Sequence, residues 1–168
     1  VAAWEQPLRL TPVMKDHMLA LAAAGLVRSA DEASVFEAAT RNPSLRARLS
    51  NTVVLTTINT GIKVNVIPAE ATATLDCRLL PDADVDRFIT SVRKVIADER
   101  VEVEVLTRSK GAATAMDHEF IAAVDDVIGE MVEGARLIPE LTSGFTDSRI
   151  YRQRGVAAFG FVPCLVPP

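Results

Sequence analysis

The sequence predicts an α+β fold, and three observations predict it. Residues 52–59 are rich in Val and Thr, and residues 71–79 alternate apolar and polar side chains, so both segments indicate strands joined as a hairpin with a long connection. Apolar side chains recur at helical spacing over residues 85–96, which indicates an amphipathic helix. Valine and glutamate alternate over residues 101–105, which predicts a further strand with one buried face.

The N-terminal part of the chain predicts helices. Thr11-Pro12 is typical of a helix start, and the apolar stripe that follows stops at Gly25. Residues 29–32 fit a capping box with Ser29 as the cap, and Asn42-Pro43 breaks the second helix before a short helical turn over residues 45–49. We therefore expect a helical insert at 29–49.

The order of elements predicts two parts. A strand added before Val1 would complete β-α-β-β-α-β, so residues 1–108 are predicted to form a ferredoxin-like domain that lacks its first strand. Residues 112–168 predict an incomplete α/β layer, with a helix from near Asp117, a strand near 136–138 and a buried strand at 155–161. Both ends lead us to expect that the chain was cut from something longer.

The composition limits the classes of partner that this chain could bind. The chain has 168 residues, 18 Lys+Arg against 22 Asp+Glu and a net charge of −4, so it offers no general cationic surface for nucleic acid. No apolar run reaches the roughly 20 residues that cross a bilayer. We predict a soluble protein, with the cytoplasm favoured and an upstream leader left open. Cys77 and Cys164 fit no zinc or disulfide pattern and are predicted to be buried thiols.

Two segments predict recognition of an anionic ligand. Along residues 72–79, Asp76 and Arg78 share the polar face of the strand, and the apolar side chains at 73, 75, 77 and 79 face the other way, as a core would require. Residues 143–149 place a hydroxyl, a carboxylate and a guanidinium within seven positions. A guanidinium can donate two parallel hydrogen bonds to a carboxylate, which fits an anionic guest.

These segments carry a family resemblance. GIKVNVIPAEATATLDCRLLP and SGFTDSRIYRQRGVAAFGFVP resemble the lid domain and the start of the C-terminal catalytic segment of the di-zinc metallopeptidase family of aminoacylase, carboxypeptidase S and succinyl-diaminopimelate desuccinylase. The carboxypeptidase S and N-acyl-amino-acid hydrolase branch is most similar. The resemblance implies a full-length parent that uses two zinc ions to cleave an amide bond in a peptide or N-acyl amino acid with a free carboxylate, and that forms a homodimer through the lid.

The resemblance also assigns substrate-binding residues, namely Asn65, Arg78, Gly144, Thr146 and Arg149. Each has a competing interpretation. The asparagine could only form a turn, the first arginine could only pair with a neighbouring aspartate, and the 144–149 loop could only cap a helix. The functional interpretation requires the asparagine and both arginines to converge on one anion, with help from a second copy of the chain if needed.

The same resemblance places the metal ligands and catalytic groups outside this chain. His17 and His118 lie on predicted helices without ligand spacing; we expect the first to be a partly exposed helix residue and the second a first-turn residue. The chain alone is therefore predicted to be inactive and to bind no metal. The alternative from another functional class is a non-catalytic ferredoxin-like module for ligand binding or dimerisation.

Overall fold

A computed structural model describes residues 4–162. Within them, three helices come first, two strands follow, and three more helices complete the order: α1 Pro12–Ala23, α2 Glu32–Arg41, α3 Pro43–Leu49, β1 Thr52–Thr60, β2 Ala71–Arg78, α4 Val85–Ile96, α5 Glu119–Met131 and α6 Ser148–Gln153. The predicted mixture of helix and sheet is confirmed. None of the helices in this part of the chain is long and apolar enough to span a bilayer.

The first helices begin close to where the sequence predicts. Thr11 precedes α1, and Pro12 occupies the first helical position, where its missing N–H costs nothing. The capping box with Ser29 as cap is wrong, because α2 is capped by Asp31, whose carboxylate accepts a bond of 3.0 Å from the backbone N–H of Ser34. The Ser29 hydroxyl donates to the same carboxylate, and these bonds lower the pKa of Asp31 to about 2.

Helices α1, α2 and α3 pack around a common apolar core. Its buried members are Met14, Met18, Val35, Ala39, Leu45 and Leu49. His17 is also buried, with 8% of its surface exposed, so the prediction of a partly exposed histidine is wrong. Its Nδ1 lies 2.7 Å from the backbone oxygen of Pro139, and Leu141 packs against the same core. Residues 139–141, from the later part of the chain, therefore pack against the helical cluster.

Strands β1 and β2 form an antiparallel hairpin. Leu55 pairs with Leu75, and an irregularity between Leu55 and Thr57 shifts the register by one residue. The apolar face of this hairpin is predicted to be core, but Leu55, Ile58 and Leu75 are 52%, 61% and 45% exposed. The prediction is wrong for the described residues, because packing a sheet face requires a second layer and none covers this one.

Cys77 lies on the same face of the hairpin and is exposed, so its prediction as a buried thiol is also wrong. Partial burial, helped by the neighbouring charge of Asp76, still raises the pKa of the Cys77 thiol. Cys164 lies outside the described residues.

Three other predicted strands are also wrong, at 101–105, 136–138 and 155–161, since the described part of the chain forms none there. A strand needs hydrogen bonds to a neighbouring backbone. In these three segments, backbone groups bond to side chains instead. The N–H of Leu137 donates to the carboxylate of Asp125 at 2.9 Å. The guanidinium of Arg152 donates to the oxygen of Ala158 at 2.8 Å, while Arg93 donates to Val103 at 3.3 Å.

Helix α4 brings the second half of the chain close to the end of β2. Asp84 caps the helix with its carboxylate, and Phe88 on the buried side of α4 stacks on Trp4 with ring centres 5.6 Å apart. Gly111 then approaches Pro81 so closely that a Cβ on the glycine would lie 2.8 Å from the proline Cα. Only a glycine fits so close a contact between the two backbones.

Candidate substrate-binding site

Arg78 and Arg149 converge on the ring of Phe145. The guanidinium carbon of Arg149 lies 4.3 Å from the ring centre, and that of Arg78 lies 5.8 Å from it. Both distances fall within the roughly 6 Å over which a cation is attracted to an aromatic face. Since both are measured from one ring centre, the two guanidinium carbons are no farther apart than the sum of 4.3 and 5.8 Å, about 10 Å. Two of the three residues predicted to converge therefore lie within reach of one small molecule.

Arg78 stands at the end of β2 on the face that the strand alternation predicts. Its Nε donates to the carboxylate of Asp76 at 2.7 Å, so the ion pair of the competing interpretation does form. Both side chains are nearly half exposed, and such a pair contributes at most about 1 kcal/mol. Because Nε makes this bond, the terminal nitrogens of Arg78 are the ones that a ligand could reach.

Arg149 belongs to the first turn of α6. Its Nε is buried and has no hydrogen-bond partner within residues 4–162. A buried donor without a partner costs about 1–3 kcal/mol, and such a group is usually satisfied by something. An anionic ligand would supply the missing acceptor.

Gly144 and Thr146 make local bonds. The N–H of Gly144 donates to the Thr142 hydroxyl at 3.1 Å, and the N–H of Ser148 donates to the Thr146 hydroxyl at 3.3 Å. Asp147 occupies the cap position of α6 but makes no side-chain capping bond, so the prediction that Asp147 caps this helix is wrong, and the hydroxyl of Thr146 bonds the helix start instead. A contact of Gly144 or Thr146 with substrate stays a prediction.

Asn65 lies away from the two arginines. It is exposed in the loop that joins β1 to β2, whereas Arg78 ends β2 at the opposite end of the hairpin. Seven steps of strand separate Ala71 from Arg78, which is roughly 23 Å at the usual rise per residue. The chain by itself does not bring this asparagine to the other two residues.

The residues that the structure describes do not form a zinc site. Across positions 4–162 there is no group of three His, Cys, Asp or Glu side chains that could hold a metal. His118 is the N-terminal cap of α5 rather than a first-turn residue, and its Nδ1 accepts a bond of 3.1 Å from the N–H of Phe120.

Phe145 is the residue that the sequence analysis missed. It is the single aromatic residue of the 143–149 segment. The available signal was an aromatic residue four positions before an arginine, and its partner from β2 could not have been identified without the fold.

A family model described as the peptidase dimerisation domain matches residues 22–104. The N-fatty-acyl-amino acid synthase/hydrolase PM20D1 of Mus musculus is 31% identical over 134 residues, which cover 76% of this chain and 26% of that protein.

Two other curated relatives show similar coverage. Aminoacylase-1 of Homo sapiens is 32% identical over 127 residues, covering 73% of this chain and 31% of the relative. The probable carboxypeptidase S-like 2 of Dictyostelium discoideum is 28% identical over 126 residues, covering 74% and 24%. The chain thus spans a quarter to a third of the length of these relatives. No solved structure matches it. The match to the dimerisation domain and the three relatives confirm the family resemblance, and residues 22–104 carry the peptidase dimerisation domain of the M20 family.

Proposed function

We propose that this chain is the lid and substrate-binding part of a metal-dependent hydrolase that cleaves an amide bond in a peptide or N-acyl amino acid with a free carboxylate. The observation that carries the proposal is the convergence of Arg78 and Arg149 on one ring, with the buried Nε of Arg149 lacking an acceptor. Two guanidiniums can bind a carboxylate and also stabilise negative charge that develops on the attacked carbonyl. The names of the relatives, which include hydrolases of acylated amino acids, support the same substrate class.

The remaining parts of the activity belong to the complete protein. Two zinc ions and their ligands are proposed to lie outside this chain, which by itself is proposed to be inactive. The ferredoxin-like arrangement is proposed for the complete lid, where further strands would join the hairpin. Gly144 and Thr146 are proposed to line the substrate pocket beside Arg149.

The test is hydrolysis by the complete protein that contains this segment, supplied with zinc or cobalt. N-acetyl-L-leucine would be compared with N-acetyl-L-leucinamide, in which a neutral carboxamide replaces the carboxylate. Changing Arg149 to Gln should raise KM for the acid by roughly 10- to 100-fold and change KM for the amide little, since a hydrogen bond to a charged group contributes about 1.5–3 kcal/mol.

Two variants control this test. Arg149→Lys keeps the charge but loses the planar fork, so it should recover only part of the loss. Arg41→Gln removes a guanidinium that pairs with Glu37 on the exposed side of α2 and should change neither KM. No turnover of any N-acyl amino acid or dipeptide on a broad panel would overturn the hydrolase proposal.

A homodimer through the lid is part of the proposal. Within the described residues, the hairpin has two unpaired edges and an exposed apolar face. A second copy of the chain could pair with an edge and cover the apolar face. A second copy would also bring its own Asn65 toward the arginines, which a single chain does not. Leu55→Lys should shift the mass measured by light scattering toward the monomer. Val101→Lys, at a residue of equal exposure outside the hairpin, is the matched control; a monomeric unmodified protein would contradict the dimer.

A further inference from the structure

Phe145 connects two parts of the chain that the sequence predicts to be separate. Its ring is 61% exposed, and it stands in the loop before α6. One guanidinium over it comes from the first turn of α6, at Arg149, and the other comes from β2, at Arg78. The ring is therefore the common contact of a lid residue and a residue from the later segment.

The ring offsets the electrostatic repulsion between the two guanidiniums. Two guanidiniums placed near each other repel, and the repulsion would separate them whenever no anion is bound. The faces of an aromatic ring carry negative charge, so each cation is attracted to the ring even in the absence of ligand. Both arginines can then remain near each other before a substrate arrives.

The ring also orients Arg149 in a way that hydrogen bonds do not. Arg78 is held at its Nε by Asp76, but the Nε of Arg149 has no hydrogen-bond partner in the described structure. At 4.3 Å from the ring centre, the guanidinium of Arg149 is close enough for its plane to be fixed by stacking. A side chain ordered before binding loses less conformational entropy when its ligand arrives.

We propose that Phe145 is a positioning residue, whose ring holds Arg78 and Arg149 together so that both can contact one substrate carboxylate or developing oxyanion. This rests on the proposed function, and it adds a residue whose role is exerted only through the two arginines. The ring itself donates no hydrogen bond, so its effect should be specific to charged substrates.

The test measures carboxylate preference in the complete protein, as the ratio of KM for N-acetyl-L-leucinamide to KM for N-acetyl-L-leucine. Phe145→Leu keeps an apolar side chain but removes the ring, and it should reduce this ratio by roughly three- to tenfold with kcat little changed. Phe145→Tyr should retain the ratio, and Phe145→Trp should retain or increase it, because indole is the best cation-binding face. A purely structural role would change KM for the acid and the amide equally and would leave the ratio unaltered.

The outcomes separate the two proposals. If Arg78→Gln and Arg149→Gln lower the ratio while Phe145→Leu does not, the role of Phe145 is overturned and the proposed function stands. If neither arginine variant changes the ratio, the assignment of the substrate-binding site itself is overturned.

A second measurement tests the geometry without turnover. In the NMR spectrum of the 168-residue chain, the Arg149 side-chain protons should show an upfield ring-current shift that Phe145→Leu abolishes. Absence of that shift in the unmodified chain would also overturn the positioning role.

Discussion

The helical cluster and the hairpin contain similar apolar side chains but bury them to very different extents. Leu49 of α3 is fully buried, whereas Leu75 of β2 is 45% exposed. Helices α1, α2 and α3 supply three apolar faces that close on one another, while the two strands supply one face with nothing opposite. An element becomes core only when a second layer covers it, so apolar periodicity specifies a face and the surrounding chain decides its burial.

The largest expected loss of stability comes from shortening a buried side chain of the helical cluster. Leu49→Ala should lower the free energy of unfolding of the 168-residue chain by about 2–5 kcal/mol, because it removes a fully buried side chain and leaves a cavity. Urea denaturation followed by circular dichroism measures the loss. A loss below about 1 kcal/mol would mean that the cluster is not the stable part of the chain.

The tie between the cluster and the distant 139–141 segment should be weaker but measurable. His17→Ala removes the group that bonds the backbone oxygen of Pro139, and leaving that acceptor unsatisfied costs about 1–3 kcal/mol. Hydrogen exchange should show faster exchange in residues 137–141. His17→Asn, whose amide can donate from a similar position, should restore part of the protection; equal exchange in all three proteins would argue against the tie.

The cap of α2 should make part of the cluster's stability depend on pH. The pKa of Asp31 falls from 3.8 to about 2 on folding, so its contribution is complete above about pH 4 and is lost as the pH falls toward 2. Asp31→Asn keeps an effective cap that does not titrate, and it should therefore flatten this part of the profile. Urea midpoints between pH 2 and 6 measure the difference, and parallel profiles would contradict the assignment.

The smallest effect is expected on the hairpin. Leu75→Ala should change the free energy of unfolding of the 168-residue chain by less than about 1 kcal/mol, because the side chain is already half solvated. The same urea titration gives the value. A cost equal to that of Leu49→Ala would break the comparison, because it would show that the apolar face of the hairpin is covered in solution.

The candidate site shows the same division between prediction and structure. The sequence could identify Arg78 and Arg149 as anion-binding side chains, because a guanidinium in a polar loop or strand face has that chemistry wherever it stands. The sequence could not place them over one ring. The close passage of Gly111 against Pro81 and the approach of Phe145, in the loop before α6, to Arg78 at the end of β2 are long-range contacts, which no local pattern encodes.

The sequence by itself determined the local elements and their chemistry. The spacing over 85–96, the proline at the start of α1 and the alternation along β2 each fix a backbone conformation through neighbouring residues alone. Tertiary structure decided the rest. Within residues 4–162, the valines at 101–105 lie outside any sheet because no strand pairs with them, and Phe145 contacts a second guanidinium because the end of β2 lies near it. Strand pairing and ring contacts both depend on residues that are distant in the sequence, whereas helix formation depends on neighbouring residues.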